Sequence, residues 1–115
     1  MSNICNYNEI LEHFDNSKDL FKMIFSKYKD NSLELMEKIK TSISEQDIEQ
    51  LKMLAHTLKG STSNFFAPEL ISELQNLEIH SDTLSIEQQE NSFQKISSML
   101  SELIKFCEDK IEEDS

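Results

Sequence analysis

The sequence predicts an all-α protein, an antiparallel up-down four-helix bundle with a short N-terminal capping helix. Apolar residues recur at spacings of three and four along most of the chain, which is typical of amphipathic helices, and no segment alternates as a half-buried strand does. The chain also has one glycine and one proline in 115 residues, so few positions interrupt a helix. Because short connections force neighbouring helices to run in opposite directions, we expect an antiparallel bundle of helices of comparable length.

Size and charge narrow the possible functions. A chain of 115 residues with 37% hydrophobic residues is expected to form one domain over residues 1–115, with a bundle core at about 17–111. The formal charge of −11 disfavours nucleic acid and anionic membranes as partners. The sequence contains neither a long apolar run nor a secretory signal, so we expect a cytoplasmic, monomeric protein. Two cysteines, Cys5 and Cys107, are too few for a disulfide framework and are expected to be reduced.

The first half of the chain predicts two helices. A short apolar pattern indicates a helix of two or three turns at about residues 5–14, which would cap one end of the bundle. A long helix is predicted from about Ser17 to Ser44, with Asn16 as its N-cap and Asp19 in its first turn. Residues 30–32 are its weakest point, and a kink is possible there.

Three further helices complete the predicted bundle. Asp47 followed by Gln50 is a capping arrangement for a helix that extends to about Phe65. Pro68 suits the first position of the next helix, which ends near residues 80–83. Ser85 with Gln88 then forms a capping box. The last helix is expected to extend to about residue 111 and to fray over residues 112–114.

One histidine is predicted to face solvent. At about 100° per residue, His56 lies roughly 140° from the centre of the apolar arc of its helix. That arc contains Ile48, Leu51, Leu54, Ala55, Leu58, Thr62 and Phe65. Gly60, the sole glycine, stands one turn after His56, although glycine costs a helix interior about 0.5–1 kcal/mol relative to alanine. Its missing side chain would leave the imidazole open to a bulky partner.

The run Ala-His-Thr-Leu-Lys-Gly-Ser at residues 55–61 resembles the signature of histidine-containing phosphotransfer (HPt) domains, the four-helix carriers of phosphorelays. Leu77-Glu78 is similar to the Leu-Glu pair that the family has on its next helix. The sequence departs from the family at Phe66, where a small residue, often glycine, is usual. The resemblance therefore rests on His56 and its neighbours.

The resemblance implies a phosphorelay carrier. His56 would accept a phosphoryl group from a receiver-domain aspartate or a histidine kinase and pass it to the receiver aspartate of a response regulator. A largely neutral imidazole is a competent nucleophile without an activating base. The receiver domain would supply the aspartate and Mg²⁺, so the chain needs no cofactor of its own.

Other residues near His56 are assigned supporting roles. The resemblance implies that Lys59 stabilises the charge of the phosphoryl group, and Gly60 is expected to give steric access. Lys52, Met53 and Ser63 share this side of the helix and are predicted to contact the docking partner. Ser61 is expected to bond to the backbone instead.

Alternative functions remain open at this stage. The bundle could bind a kinase or receiver domain without carrying phosphate, in which case His56 would be only a contact residue. A metal- or cofactor-dependent enzyme is disfavoured, because the sequence has no glycine-rich phosphate loop, no Glu-x-x-His and no His-x-x-x-His. His13 and His80 have no partner at ligand spacing. We therefore expect a phosphotransfer intermediate without catalytic activity of its own.

Overall fold

The computed structural model describes residues 4–113, and all regular secondary structure in that range is helical. The helices are α1 (Tyr7–His13), α2 (Lys18–Glu45), α3 (Ile48–Thr62), α4 (Pro68–His80) and α5 (Ile86–Glu113), with a 3-10 turn at Ser63–Phe65 after α3. The predicted all-α bundle is therefore confirmed. None of these helices is both long enough and apolar enough to cross a membrane.

The four long helices form a closed bundle of unequal lengths. Helices α2 and α4 each pack against both α3 and α5. Helices α2 and α5 have 28 residues each, whereas α3 has 15 and α4 has 13, so the expectation of comparable lengths is wrong. At about 1.5 Å per residue, α2 and α5 extend roughly 20 Å beyond the shorter pair. The apolar faces of α2 and α5 continue beyond the level of Phe65. At that level the chain has already left α3 and turned toward α4.

Helix α1 covers the end of the bundle that α3 and α4 leave open. It packs against α2 and the 3-10 turn, and its Ile10 and the following Phe14 are buried. Phe65, at the end of that turn, is fully buried among aromatic rings. Its ring centroid lies 4.7–6.4 Å from those of Phe14, Phe21, Phe25 and Tyr28. The capping role predicted for the N-terminal helix is therefore confirmed.

Three of the predicted helix starts are confirmed by their hydrogen bonds or position. Asp47 Oδ1 accepts a bond from the backbone N–H of Gln50 at 3.2 Å. The capping box is complete, because Ser85 N–H donates to Gln88 Oε1 at 2.9 Å and Gln88 N–H donates to Ser85 Oγ at 3.1 Å. Pro68 is the first residue of α4, where it gives up no helical hydrogen bond.

The N-cap of α2 is Ser17 rather than Asn16, so that prediction is wrong by one residue. Asp15 and Asn16 both adopt left-handed backbone conformations, with φ of 54° and 59°, in the turn between α1 and α2. An N-cap needs an extended backbone, which Ser17 has, and its Oγ accepts the N–H of Leu20 at 3.1 Å. Helix α2 then passes through residues 30–32 without a break.

Helix α3 ends at Thr62, three residues before the predicted end at Phe65. The chain tightens into the 3-10 turn and leaves it through Phe66, whose φ of 51° and ψ of 52° are left-handed. For a bulky side chain this conformation costs roughly 1–2 kcal/mol, which is the physical consequence of having phenylalanine where the family usually has a small residue. Beyond the turn, α5 continues to Glu113, so the predicted end at about residue 111 is two residues early, and the predicted fraying at Asp114 lies outside the described residues.

Both cysteines are free thiols. Burial, together with the charges of Glu102 and Glu9, raises the pKa of Cys5 to about 12. Burial likewise raises the pKa of the Cys107 thiol. Because the thiolate is the reactive form, neither cysteine is poised for nucleophilic chemistry.

A buried glutamine joins the two connections at the far end of the bundle, a feature that the sequence analysis did not anticipate. Gln89 is 1% exposed, and its Nε2 donates to the carbonyls of Ser81 at 2.9 Å and Leu84 at 3.3 Å. Its Oε1 accepts a bond from Gln46 Nε2 at 2.8 Å. The α2–α3 and α4–α5 turns are thereby bonded to each other through side chains.

Replacing Gln89 by methionine keeps its length but removes these bonds. Because buried carbonyls are left unpaired, we expect Gln89→Met to lower the free energy of unfolding by about 1–3 kcal/mol, measured by urea denaturation. Gln94→Met, at an exposed position on the same helix, is the control and should change stability by less than about 0.5 kcal/mol. Equal midpoints for the two variants would contradict a structural role for this network.

Candidate functional site on helix α3

His56 lies on the solvent face of α3, with its side chain 67% exposed. The opposite face of the helix is buried in the core, where Leu51, Ala55 and Leu58 are fully inaccessible. The helical register that buries these residues is therefore what turns the imidazole outward.

The imidazole of His56 is held by a carboxylate of the next helix. Nδ1 of His56 lies 2.8 Å from Oε2 of Glu78 on α4. A carboxylate accepts hydrogen bonds, so Nδ1 carries the proton and the neutral ring keeps its lone pair on Nε2. This arrangement presents the outer nitrogen as the nucleophile.

Lys59 contacts the same carboxylate. Its Nζ lies 2.7 Å from Glu78 Oε1, so Glu78 bridges the imidazole and the ammonium with its two oxygens. The hydrogen bond from Lys59 and then that from His56 hold the pKa of the Glu78 carboxyl below its ordinary value, although burial acts in the opposite direction. The group expected to stabilise phosphate is thus close to His56, and Glu78 neutralises it.

A second ion pair joins α3 to the turn that follows α4. Lys52 Nζ lies 3.2 Å from Asp82 Oδ1, and the Lys52 ammonium lowers the pKa of that carboxyl. Lys52 was predicted to contact a docking partner, and in the structure its charge is paired within the chain. The two lysines nearest His56 are therefore both balanced by acids, Lys59 by Glu78 on α4 and Lys52 by Asp82 in the turn that follows α4.

Gly60 leaves open space beside His56. A methyl group on its Cα would meet no atom within 4 Å, and its φ is not left-handed. Neither internal packing nor backbone conformation therefore explains a glycine at this position.

The remaining predicted residues lie along the same face. Met53 is 54% exposed, and Ser63 is exposed with its Oγ donating to the Gly60 carbonyl at 2.6 Å. Ser61 Oγ donates to the Leu58 carbonyl at 3.1 Å, as expected from the sequence. Met53 and Ser63 flank His56 along the helix, so the site is a strip on a convex surface rather than a pocket.

No cluster of metal-ligating residues surrounds His56 in the described part of the chain. In residues 4–113 no group of three or more His, Cys, Asp or Glu could hold a metal ion. A groove of about 850 Å³ lies between the N-terminal segment and α5, lined by Tyr7, Phe106 and Lys110 among others, and does not include His56.

Comparison with protein families identifies the class of protein. The sequence model of the Hpt domain matches residues 23–106, a range that includes His56, Lys59, Gly60 and Glu78. Since the match covers well over half of the chain, this protein belongs to the Hpt domain family. The searches of curated proteins and of solved structures found no match to this chain.

Sequence analysis did not assign a role to Glu78, although it singled out Leu77-Glu78. The signal that could have found it is the register of the α3–α4 hairpin. His56 and Glu78 each lie 11 positions from Ala67, and Lys52 and Asp82 each lie 15 positions from it. In an antiparallel hairpin centred on that residue, both pairs must face each other.

The pKa of Glu78 leads to a prediction about stability and pH. A carboxyl with a lowered pKa in the folded state stabilises the protein above its ordinary pKa, near 4.3, and loses this contribution as the pH falls through the folded value. We expect Glu78→Gln to lower the free energy of unfolding by about 1 kcal/mol at pH 7. The deficit relative to the parent protein should shrink below about pH 4.

Urea denaturation of both proteins between pH 3 and pH 7 measures this difference. Glu69→Gln is the matched control, because it removes the same charge from an exposed position of the same helix. A Glu78→Gln deficit that is the same at pH 3 and pH 7 would show that the carboxylate contributes nothing through Lys59 and His56.

Proposed function

We propose that this chain is a phosphorelay carrier that holds a phosphoryl group on Nε2 of His56. It receives the group from a receiver-domain aspartate or a histidine kinase and passes it to the receiver domain of a response regulator. The observation that carries the proposal is the exposed imidazole whose inner nitrogen is bonded to Glu78, in a chain of the Hpt domain family.

The transfer requires one bond to form as another breaks. The Nε2 lone pair of His56 attacks phosphorus, the P–N bond forms, and the bond from phosphorus to the aspartyl oxygen breaks, which returns the carboxylate to the receiver domain. The ring becomes cationic while Nδ1 keeps its proton, and the negative charge of Glu78 at 2.8 Å stabilises that cation. Delivery to the next receiver is the reverse of these steps.

Lys59 can serve the bound phosphoryl group by changing partners. Its ammonium contacts Glu78 Oε1 and lies on the side of α3 that neighbours His56. A phosphoryl dianion on Nε2 offers stronger acceptors than one carboxylate oxygen, so the lysine side chain can rotate toward it. Charge stabilisation then costs no movement of the backbone.

The same contacts support a passive carrier. Hydrolysis needs a base that activates water, and both oxygens of Glu78 are already engaged by His56 and Lys59. The receiver domain therefore brings the acceptor and its Mg²⁺, while this chain brings the nucleophile. Docking over Gly60, with contacts to Lys52, Met53 and Ser63, is part of the proposal, as are a monomeric state and a cytoplasmic location.

The first functional prediction is that His56→Gln folds normally and accepts no phosphoryl group. The side chain is exposed, so its loss should change the free energy of unfolding by less than about 1 kcal/mol. Two labelling reactions measure how well each protein accepts a phosphoryl group. One uses phosphoramidate, and the other uses a histidine kinase, a receiver domain and radiolabelled ATP. Mass mapping then locates the modified residue.

His80→Gln, which removes an exposed histidine from the end of α4, is the control and should be labelled like the parent protein. Acid-labile label on His56→Gln would refute the assignment. If His56→Gln instead supports signalling while no protein is labelled, the alternative of a bundle that only binds its partner is correct.

The second functional prediction separates stability from access at Gly60. Because a Cβ meets nothing within 4 Å, Gly60→Ala should raise the free energy of unfolding by up to about 1 kcal/mol and preserve transfer. Gly60→Glu places bulk and charge beside Nε2 and should lower kcat/KM for transfer from a receiver domain at least about tenfold, or 1.4 kcal/mol.

Gly60→Gln has the same bulk without the charge and divides the two effects. A Gln variant as slow as the Glu variant indicates obstruction, whereas a faster one indicates repulsion of the phosphoryl group. Transfer to Gly60→Glu at the parent rate would contradict the access argument.

A further inference from the structure

Phe66 combines an exposed aromatic ring with a strained backbone. Phe66 is 38% exposed, and it is a bulky residue in the left-handed region, where glycine or asparagine would be less strained. Its neighbour Phe65 already fills the core at this turn. The exposed part of the Phe66 ring therefore adds little to the core, and a bulky residue in an unfavourable conformation points to a function at that position.

The Phe66 ring is held in place by α1. The ring of His13 contacts it edge to face, with centroids 5.4 Å apart and planes at 78°. His13 Nε2 lies 3.2 Å from Asn64 Oδ1, and Asn64 Nδ2 donates to the Ser61 carbonyl at 3.3 Å. Phe66 and His13, which we term the aromatic rim, are thus oriented by contacts from both α1 and the end of α3.

The aromatic rim continues the strip that contains His56. Asn64 follows Gly60 by four residues, the last two in the 3-10 turn, which places it roughly 80° from Gly60 around the helix axis. Ten residues separate His56 from Phe66, or roughly 15 Å along the axis. A standard interface buries about 800 Å² per partner, equivalent to a disc of about 16 Å radius. Gly60 lies about 6 Å along the axis from His56 and about 9 Å from Phe66. A partner of that size centred on Gly60, where docking is proposed, therefore covers both His56 and the rim.

We propose that the aromatic rim is a docking anchor for the receiver domain that exchanges phosphate with His56, which contributes an apolar side chain to the exposed face of Phe66. This inference rests on the proposed function. A second copy of this chain is disfavoured as the occupant, because two surfaces of a protein with a charge of −11 repel each other. The rim would make this chain selective among receiver domains, since aromatic anchors carry much of the energy of an interface.

The test replaces Phe66 by asparagine, which tolerates the left-handed conformation and removes the ring. The assay uses the Mg²⁺-loaded receiver domain that accepts the phosphoryl group from His56 most rapidly. With this domain we expect Phe66→Asn to raise the KM of transfer about tenfold and to leave kcat nearly unchanged. Labelling of His56 by phosphoramidate should be unaffected, and the thermal midpoint should be equal or higher. Leu33→Gln is the control, because Leu33 is a 48% exposed apolar residue on α2 and should leave KM unchanged.

A titration of the isotope-labelled parent protein with the same receiver domain gives a second readout that does not depend on a variant. The amide signals of His13, Asn64 and Phe66 should shift together with those around His56. Parent-like KM for Phe66→Asn, or rim signals that do not move, overturns the inference and leaves the carrier function intact. Failure of phosphoramidate to label His56 would instead refute the proposed function. Shifts that appear with protein concentration alone would assign the rim to a second copy and also overturn the inference.

Discussion

The functional surface depends on the antiparallel register of α3 and α4. The hairpin is centred on Ala67, which is buried, and this register places Glu78 opposite His56 and Asp82 opposite Lys52. A shift of one residue would rotate Glu78 by about 100° and break its contacts with both His56 and Lys59. The core that fixes the register is therefore as important for the proposed chemistry as His56 and Lys59 themselves.

Under the proposed function, charge pairing across that hairpin explains how a strongly acidic protein could present a nucleophile to a phosphorylated partner. The two lysines beside His56 are each balanced by a carboxylate within 3.2 Å, Glu78 on α4 and Asp82 in the turn that follows it. The local surface is therefore close to neutral, although the whole chain carries a charge of −11. Because these groups are partly exposed, their ion pairs are weak enough to exchange partners when a phosphoryl group arrives.

The unequal helices connect the core to the docking surface. Since α2 and α5 extend past α3, the chain needs α1 to cover the aromatic cluster around Phe65, and α1 in turn brings His13 to the surface. The same turn that buries Phe65 exposes Phe66, because adjacent residues in a tight turn point to different sides. The packing of the bundle end and the proposed anchor for a receiver domain thus have one structural origin.

The sequence by itself determined the helices, three of the helix starts and the outward orientation of His56, because these follow from local periodicity and from side chains that bond within three residues. It placed Asp47, Ser85 and Pro68 at helix starts, and it singled out Lys59 and Gly60 through their spacing from His56 and the family signature. Only the tertiary structure showed Glu78 beside Nδ1, the pairing of Lys52 with Asp82, the buried bonds of Gln89 and the contact of Phe66 with His13. Each of these joins residues at least five positions apart, and most join a helix to a turn or to another helix, so it depends on how the elements pack rather than on the pattern within any one of them.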